Sequence, residues 1–298
     1  MTHEPQHPNI HRSDPPALSP RTTRELLESL GLRPNRKLGQ NFLIDGNIVK
    51  KSLALAAVSP GESVVEIGPG LGTLTRALLH AGCRVHAVER DPHLHQFLEE
   101  RLRPEFPDRL FLLKGDAVEH PLAGLSGDAS TPFKIVANLP YAISTPWLDA
   151  VLSSGRLPEK MVLMLQQETA ARFTAVKGHK DMGAITLFLQ AAYETERGHR
   201  VPRRCFHPAP DVDSCLLNLK RRTDPRTFLP ETKTLIRRCF GQRRKQIGPL
   251  IRKFAPGHDL TPWLERLSAE GLSPKTRPEA IPVPLWLELD RLLQSPPD

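Results

Sequence analysis

Short apolar runs alternate along this chain with stretches of helical spacing. Val64-Val65-Glu66-Ile67, Arg84 to Val88, Leu110 to Leu113, Phe133 to Ala137 and Met161 to Leu165 are four or five residues long and mostly aliphatic. That is the signature of strands buried on both faces of a parallel sheet. Thr22-Thr23-Arg24-Glu25 has the form of a capping box opening a helix through Leu30. Further helices are predicted near Asn47 to Ala57, after Gly72, from Ser144-Thr145-Pro146 through Trp147 to Leu152, and from Gln166-Gln167-Glu168 through Phe173. Ala184 to Tyr193 and Ser214 to Leu219 read as two late antiparallel strands that finish a seven-stranded, mostly parallel sheet in an α/β fold. Arg221 to Pro230 reads as a linker. Beyond it, Leu235 to Phe240, Ile247 to Phe254, Trp263 to Leu267 and Leu285 to Leu292 have helical spacing broken by Pro and Gly, which predicts a small all-helical domain. The expected partition is a disordered tail over 1–21, an α/β domain over 22–222 and a helical domain over 223–298. Trp147, Trp263 and Trp286 each lie in an apolar helical pattern and read as packing residues.

The first strand runs into Gly68-Pro69-Gly70-Leu71-Gly72, a glycine turn that lets backbone approach a ligand closely. A dinucleotide site of the form G-x-G-x-x-G/A needs a small residue at 73, where this chain has Thr73. S-adenosylmethionine, which has no pyrophosphate, fits this pattern better than NAD. A bare strand-to-helix turn is the plainer alternative. Glu89 ends the next strand, 21 residues after Gly68, at the spacing of an acid that holds ribose hydroxyls. Asp116 follows the third strand and would accept from an adenine amine. Two carboxylates at consecutive strand ends beyond a glycine turn support one another as a cofactor site.

The fourth strand leads into Asn138-Leu139-Pro140-Tyr141. An exocyclic adenine amine is a poor nucleophile, because its lone pair is delocalised into the ring. Methylating it requires holding the nitrogen in line with the donor methyl. The Asn138 oxygen, with the Leu139 carbonyl, can accept both amine hydrogens; Pro140 stiffens the backbone and Tyr141 can stack on the base. An ordinary Asn-x-Pro turn competes with this reading when the tetrapeptide stands alone.

Composition narrows the alternatives. Cys83, Cys205, Cys215 and Cys239 form no Cys-x-x-Cys pair, and no predicted helix carries a His pair beside an acid, so no metal is expected. There is no Gly-x-Ser-x-Gly elbow and no Gly-Lys-Thr/Ser loop. The net charge of +8 is uneven: Arg197 to Lys253 holds 16 Lys or Arg against four acids, net +12, and the remainder carries −4. Lys220-Arg221-Arg222, Arg237-Arg238 and Arg243-Arg244-Lys245 are therefore candidate phosphate contacts, a solvated basic face being the alternative. No segment approaches 18 apolar residues and no apolar leader follows the start, so a cytoplasmic monomer with no membrane association is expected.

Lys37-Leu38-Gly39-Gln40-Asn41-Phe42-Leu43, the glycine turn, Glu89, Asp116, Asn138 to Tyr141, Phe206-His207-Pro208-Ala209-Pro210 with Val212-Asp213-Ser214, and Gln242-Arg243-Arg244-Lys245 together resemble the KsgA-type ribosomal RNA adenine dimethyltransferases over about residues 22 to 292. The resemblance implies a Rossmann-like S-adenosylmethionine-dependent methyltransferase fold. It also implies transfer of four methyl groups to N6 of two adjacent adenosines near the 3′ end of small-subunit rRNA. Cofactor contacts are then implied at Asn41, Leu43, Gly68, Gly70, Glu89, Asp116, Ala117 and Asn138, with the Gly39-to-Leu43 segment closing over the cofactor. Catalytic roles are implied for Asn138, Leu139, Pro140, Tyr141 and Phe206, the last packing on the target base; a hydrophobic plug beneath its loop is the alternative. Asp211 stands where many members have a basic residue, and His207 where Thr or a small residue is commoner. The competing functions are a large-subunit adenine methyltransferase of the macrolide-resistance type and a non-catalytic ribosome-assembly factor. Leu139 and the Gln-Arg-Arg-Lys stretch favour the small subunit, and an accessory role on the assembling particle is also expected.

Overall fold

The computed structural model describes residues 19–34, 40–128 and 130–294; the tail through residue 18, where disorder is expected, and Lys37-Leu38-Gly39 lie outside them. In chain order the elements are α1 (Pro20–Ser29), β1 (Phe42–Leu43), α2 (Gly46–Ala56), β2 (Ser63–Ile67), α3 (Thr73–His80), β3 (Arg84–Glu89), α4 (Pro92–Arg101), β4 (Leu110–Lys114), β5 (Lys134–Asn138), α5 (Ser144–Ser153) and β6 (Lys160–Gln166). They continue as α6 (Gln167–Phe173), α7 (Ala184–Ala192), β7 (Tyr193–Val201), β8 (Phe206–His207), β9 (Ser214–Arg221), α8 (Pro230–Gly241), α9 (Ile247–Phe254), α10 (Thr261–Ala269) and α11 (Val283–Leu292).

Seven strands form one sheet in the order β4-β3-β2-β5-β6-β9-β7, and β1 pairs with β8 apart from it. The first five are parallel, and β9 runs antiparallel between β6 and β7. Both faces of the parallel part are covered, which is why its strands read as continuous apolar runs. On one face Val64, Val85, Val136 and Met164 pack with buried residues of α2, α3 and α4. On the other, Val65, Ile67, Ile135 and Leu163 share a core with Trp147, Phe188 and the helical domain's Trp263 and Trp286. The three tryptophans are thus packing residues, each 0–1 % exposed.

Two local expectations are corrected. Ala184 to Tyr193 is not a strand: Ala184 to Ala192 is helix α7, and the strand begins at Tyr193. Ile185, Thr186, Leu187, Phe188, Leu189, Ala191 and Ala192 are all buried, so α7 shows no polar face and its 3.6-residue period is invisible in the sequence. Edge strand β7 buries only Tyr193 and Val201 and therefore resembles a loop. Its register shifts between Glu196 and His199, where a Cβ on Gly198 would collide with the Leu216 carbonyl. The first helix also starts earlier than the capping box implied. Ser19 accepts from the Thr22 N–H, Pro20 opens the helix, and Glu25 pairs with Arg21 at 2.7 Å instead of turning back to a cap.

The helical domain is joined to the sheet domain through a buried cation. Lys233 of α8 is 4 % exposed, donates to Ser153 Oγ at 2.6 Å, lies 3.7 Å from Asp149 of α5 and sits over the Phe188 ring. Burial lowers the Lys233 pKa, and the Asp149 carboxylate opposes that shift. Arg237 pairs with the same carboxylate. Removing one partner of a buried pair strands the other charge. Asp149→Ala is expected to cost about 1–3 kcal/mol in urea unfolding, and Asp149→Ala combined with Lys233→Met to recover most of it. A double variant no more stable than the single would contradict this account of the joint.

Candidate active site

The carboxyl ends of β2, β3, β4 and β5 open into one cavity of ≈ 240 Å³, lined by the glycine turn, the Asn138 tetrapeptide and the Gln40-to-Leu43 segment. This is where open α/β sheets bind ligands. Gly68 and Gly70 hold positive φ of 64° and 59°. A Cβ on Gly70 would lie 3.1 Å from the Phe42 ring, and one on Gly68 would lie 3.3 Å from Pro140. The turn is therefore wedged between the β1 segment and the tetrapeptide. A side chain at either glycine would displace one of them.

Glu89 ends β3 almost wholly buried. Its Oε2 accepts from Gly70 N–H at 3.1 Å and its Oε1 from Asp91 N–H at 2.9 Å, so one carboxylate ties the first two strand-end loops together. Burial raises its pKa, and these backbone donors pull the other way. Asp116 accepts from Val118 N–H at 2.8 Å and faces Arg90 at 3.2 Å. Ala117 lines the cavity beside it.

Asn138 closes β5, and its Nδ2 donates to the Asn41 carbonyl at 2.9 Å. Committing the NH₂ end to Asn41 leaves Oδ1 as an acceptor. Leu139 is 1 % exposed and its N–H reaches the Met164 carbonyl, which pins the backbone around Pro140 to β6. Tyr141 hydrogen bonds through its hydroxyl to the buried Ser214 Oγ at 2.7 Å, and burial raises its pKa. Asn41, Leu43, Gly68, Gly70, Glu89, Asp116, Ala117 and Asn138 to Tyr141 thus line one cavity.

Phe206 is placed elsewhere. Its β8 strand pairs with β1, Leu43 opposite Phe206, and the ring is 2 % exposed in the core with Leu43 and Val49. It supports the β1 segment from beneath and is not among the cavity-lining residues, which favours the plug over the stacking role.

The basic residues also separate. Strand β9 runs from Ser214, beside Tyr141, to Arg221 at the far edge of the sheet, so Lys220 lies about 20 Å from the cavity end at 3.4 Å per residue. There Arg221 donates to the Leu157 carbonyl and Arg222 pairs with Glu194. Arg237 is held by Asp149, and Arg238 sits over the Phe254 ring. Arg243 reaches the His179 carbonyl at 3.4 Å, joining the α8–α9 turn to the loop before α7, and Arg244 and Lys245 are exposed in that turn. Among the described residues no group of three or more His, Cys, Asp or Glu could hold a metal, and no helix is long and apolar enough to cross a membrane.

Glu66 was not singled out from the sequence, although a carboxylate inside Val-Val-Glu-Ile is itself a signal. It lines the cavity, is 1 % exposed, and its Oε2 has no hydrogen-bond partner. Burial is the main cause that pushes its pKa up to about 8; Thr75 opposes the shift and Glu89 adds to it. A carboxyl raised on folding binds its proton more tightly in the native state. Its stabilising contribution is complete below its unfolded value near 4.5 and is lost as pH rises through about 8. Thermal melts of Glu66→Gln are expected to lose this decline between pH 5 and pH 8, and an unaltered pH profile would remove Glu66 as its source.

The model of the family described as ribosomal RNA adenine dimethylase matches residues 31–291. A protein of Opitutus terrae named ribosomal RNA small subunit methyltransferase A is 62% identical over 272 residues, covering 91% of this chain and 98% of its own length. A Moorella thermoacetica protein of the same name is 38% identical, covering 93% and 98%. Among solved structures, a dimethyladenosine transferase from Plasmodium falciparum superposes with a TM-score of 0.68 at 25% identity, covering 83% of this chain and 95% of that one. The 23S rRNA methyltransferase ErmE superposes at 0.61 with 26% identity, covering 86% and 100%. The glycine-turn cavity, the Asn138 tetrapeptide and a family match across nearly the whole chain agree: the protein belongs to the ribosomal RNA adenine dimethylase family.

Proposed function

We propose that the protein transfers methyl groups from S-adenosylmethionine to N6 of two adjacent adenosines near the 3′ end of small-subunit rRNA, giving N6,N6-dimethyladenosines. It acts in the cytoplasm as a monomer on the assembling small subunit. The observation that carries this reading is the Asn138 amide, fixed by Asn41 so that an acceptor oxygen stands at the cavity beside Leu139-Pro140-Tyr141. The names of the relatives from Opitutus terrae and Moorella thermoacetica support the choice of the small subunit.

The cavity residues fit the cofactor: two carboxylates stand at adjacent strand ends, and a glycine turn gives close access to backbone. When bound, S-adenosylmethionine supplies an electrophilic methyl group. Glu89 keeps acceptor capacity for ribose hydroxyls, since its backbone donors do not fill the about four lone-pair sites of a carboxylate. Asp116 offers the adenine amine of the cofactor a remaining lone pair of Oδ2, the oxygen that also faces Arg90. For the substrate adenine, Asn138 Oδ1 and the Leu139 carbonyl accept the two N6 hydrogens. This holds the nitrogen in one orientation and draws its lone pair out of ring conjugation. The Tyr141 ring, anchored through Ser214, gives the base a stacking surface. Exposed Arg244 and Lys245, with Arg238 and Arg243 nearby, are the phosphate contacts proposed for the RNA. Lys220-Arg221-Arg222, at the far sheet edge, is left out of that footprint.

The direct test offers labelled S-adenosylmethionine with unmethylated small and large subunits separately, followed by nucleoside analysis. Dimethyladenosine at two adjacent sites of the small subunit supports the proposal; label confined to the large subunit rejects it. Asn138→Ala is expected to lower the rate about 10²–10³-fold with cofactor affinity nearly intact. Glu89→Ala is expected to weaken cofactor binding about 10–100-fold. Equal losses in rate and affinity for both variants would undo the division of roles. Replacing Arg243, Arg244 and Lys245 by Ala should reduce the salt slope of RNA binding by about two to three, whereas Lys220→Ala should leave it unchanged.

A further inference from the structure

Resting on the cofactor proposed above, we infer that Glu66 is a proton-exchanging counter-ion of the site: its carboxyl is neutral in the empty cavity and releases its proton to solvent as the cationic cofactor binds. The placement of Glu66 carries this. The side chain lies on the face of β2 that packs with α2, α3 and α4, two residues beyond Val64 and opposite Ala87 of β3. Those helices bury Ile48, Val49, Ser52 and Ala56 from α2, Leu74, Thr75, Leu78 and Leu79 from α3, and Leu94 and Leu98 from α4, with no charged side chain among them. From β3 the facing charge is Glu89, which repels a second anion. From β5 it is the neutral Asn138. The other titratable groups around the cavity are Asp91, Tyr141 and the Arg90–Asp116 pair, whose charges compensate at 3.2 Å. Among the described residues no cation meets Glu66, and its Oε2 has no hydrogen-bond partner.

A buried carboxylate in that setting lacks solvation and a countercharge, and the Thr75 hydroxyl only partly offsets this, so it keeps its proton. Burial and Glu89 act in the same direction on its pKa, which lies at about 8. S-adenosylmethionine carries a sulfonium and an ammonium. Placing that positive charge in the cavity supplies the missing partner and lowers the carboxyl pKa. The O–H bond of Glu66 breaks, its electron pair stays on the carboxylate, and the proton passes to buffer. Binding and ionisation are then linked, and cofactor affinity rises with pH wherever the empty site is still protonated. The two buried carboxylates divide the work: Glu89, held by two backbone N–H groups, fixes position, while Glu66 matches charge.

The test is isothermal titration of the intact protein with S-adenosylmethionine in buffers of different ionisation enthalpy, between about pH 6 and about pH 7, below the titration of the ligand's own α-amino group. The wild type should release about one proton per cofactor bound, and its Kd should tighten about tenfold over that interval. Glu66→Gln should release none and show a flat Kd, while Glu89→Gln should bind more weakly and still release the proton. Binding without buffer-dependent heat in the wild type, or release that survives in Glu66→Gln and vanishes in Glu89→Gln, overturns the inference and leaves the proposed cofactor standing. Absence of any binding heat, confirmed by equilibrium dialysis with labelled cofactor, rejects the cofactor and the inference together.

Discussion

Strand β2 pairs in parallel with β3 on one side and with β5 on the other. The chain winds outward through β3 and β4, then crosses back over β2 to reach β5 and β6. At that reversal the loops leaving β2 and β5 turn away from each other, and the crevice between them cannot be filled by either crossover. Everything chemical in the protein collects there. The glycine turn leaves β2, Glu89 ends β3, Asp116 follows β4 and Asn138 ends β5. Because each side chain is fixed by the strand it terminates, the mutual geometry of the site follows from sheet register, and loop conformation adds little freedom.

The crevice is closed by a second, smaller sheet. β1 and β8 contribute two residues each, yet they bring Phe42 against Gly70 and place the Asn41 carbonyl where it receives the Asn138 amide. Residues 41 and 138 are far apart in the chain, so the orientation of the amide that would meet the adenine depends on a long-range contact. Phe206 belongs to this closure: buried under Leu43, it makes β8 a floor for the β1 segment. The aromatics that line the cavity are Phe42 and Tyr141, and the tie of Tyr141 to Ser214 couples the tetrapeptide to the antiparallel side of the sheet.

Charge in this molecule is separated by burial. Two of the acids lining the cavity, Glu89 and Glu66, are buried in low dielectric, the first satisfied by backbone donors and the second with one oxygen unsatisfied. This suits a site whose ligand brings positive charge. Most of the basic residues lie outside it and serve several purposes. Lys233 and Arg237 join α8 to α5, Arg221 and Arg222 tie down the sheet edge, and the α8–α9 turn keeps Arg244 and Lys245 exposed.

The sequence by itself determined the α/β class, the parallel strands and the strand-end acids, because residues buried on both faces leave unbroken apolar runs and glycines at positive φ admit few substitutes. Asn138 and its neighbours were legible only in company: an Asn-x-Pro sequence at a strand end reads equally as an ordinary turn, and the glycine turn and strand-end acids before it tipped the reading. Helix α7 was not legible, since a helix buried on all sides loses its period, and neither was the polar edge strand β7. Composition could not sort the basic clusters, because whether an arginine meets solvent or a carboxylate depends on which edge of the sheet its strand reaches. Phe206 and Glu66 mark the same boundary. An aromatic in a proline-rich loop and a glutamate in a valine-rich strand each have two plausible environments, and only tertiary packing, which buried the first beneath Leu43 and left one oxygen of the second unsatisfied in the cavity wall, decided between them.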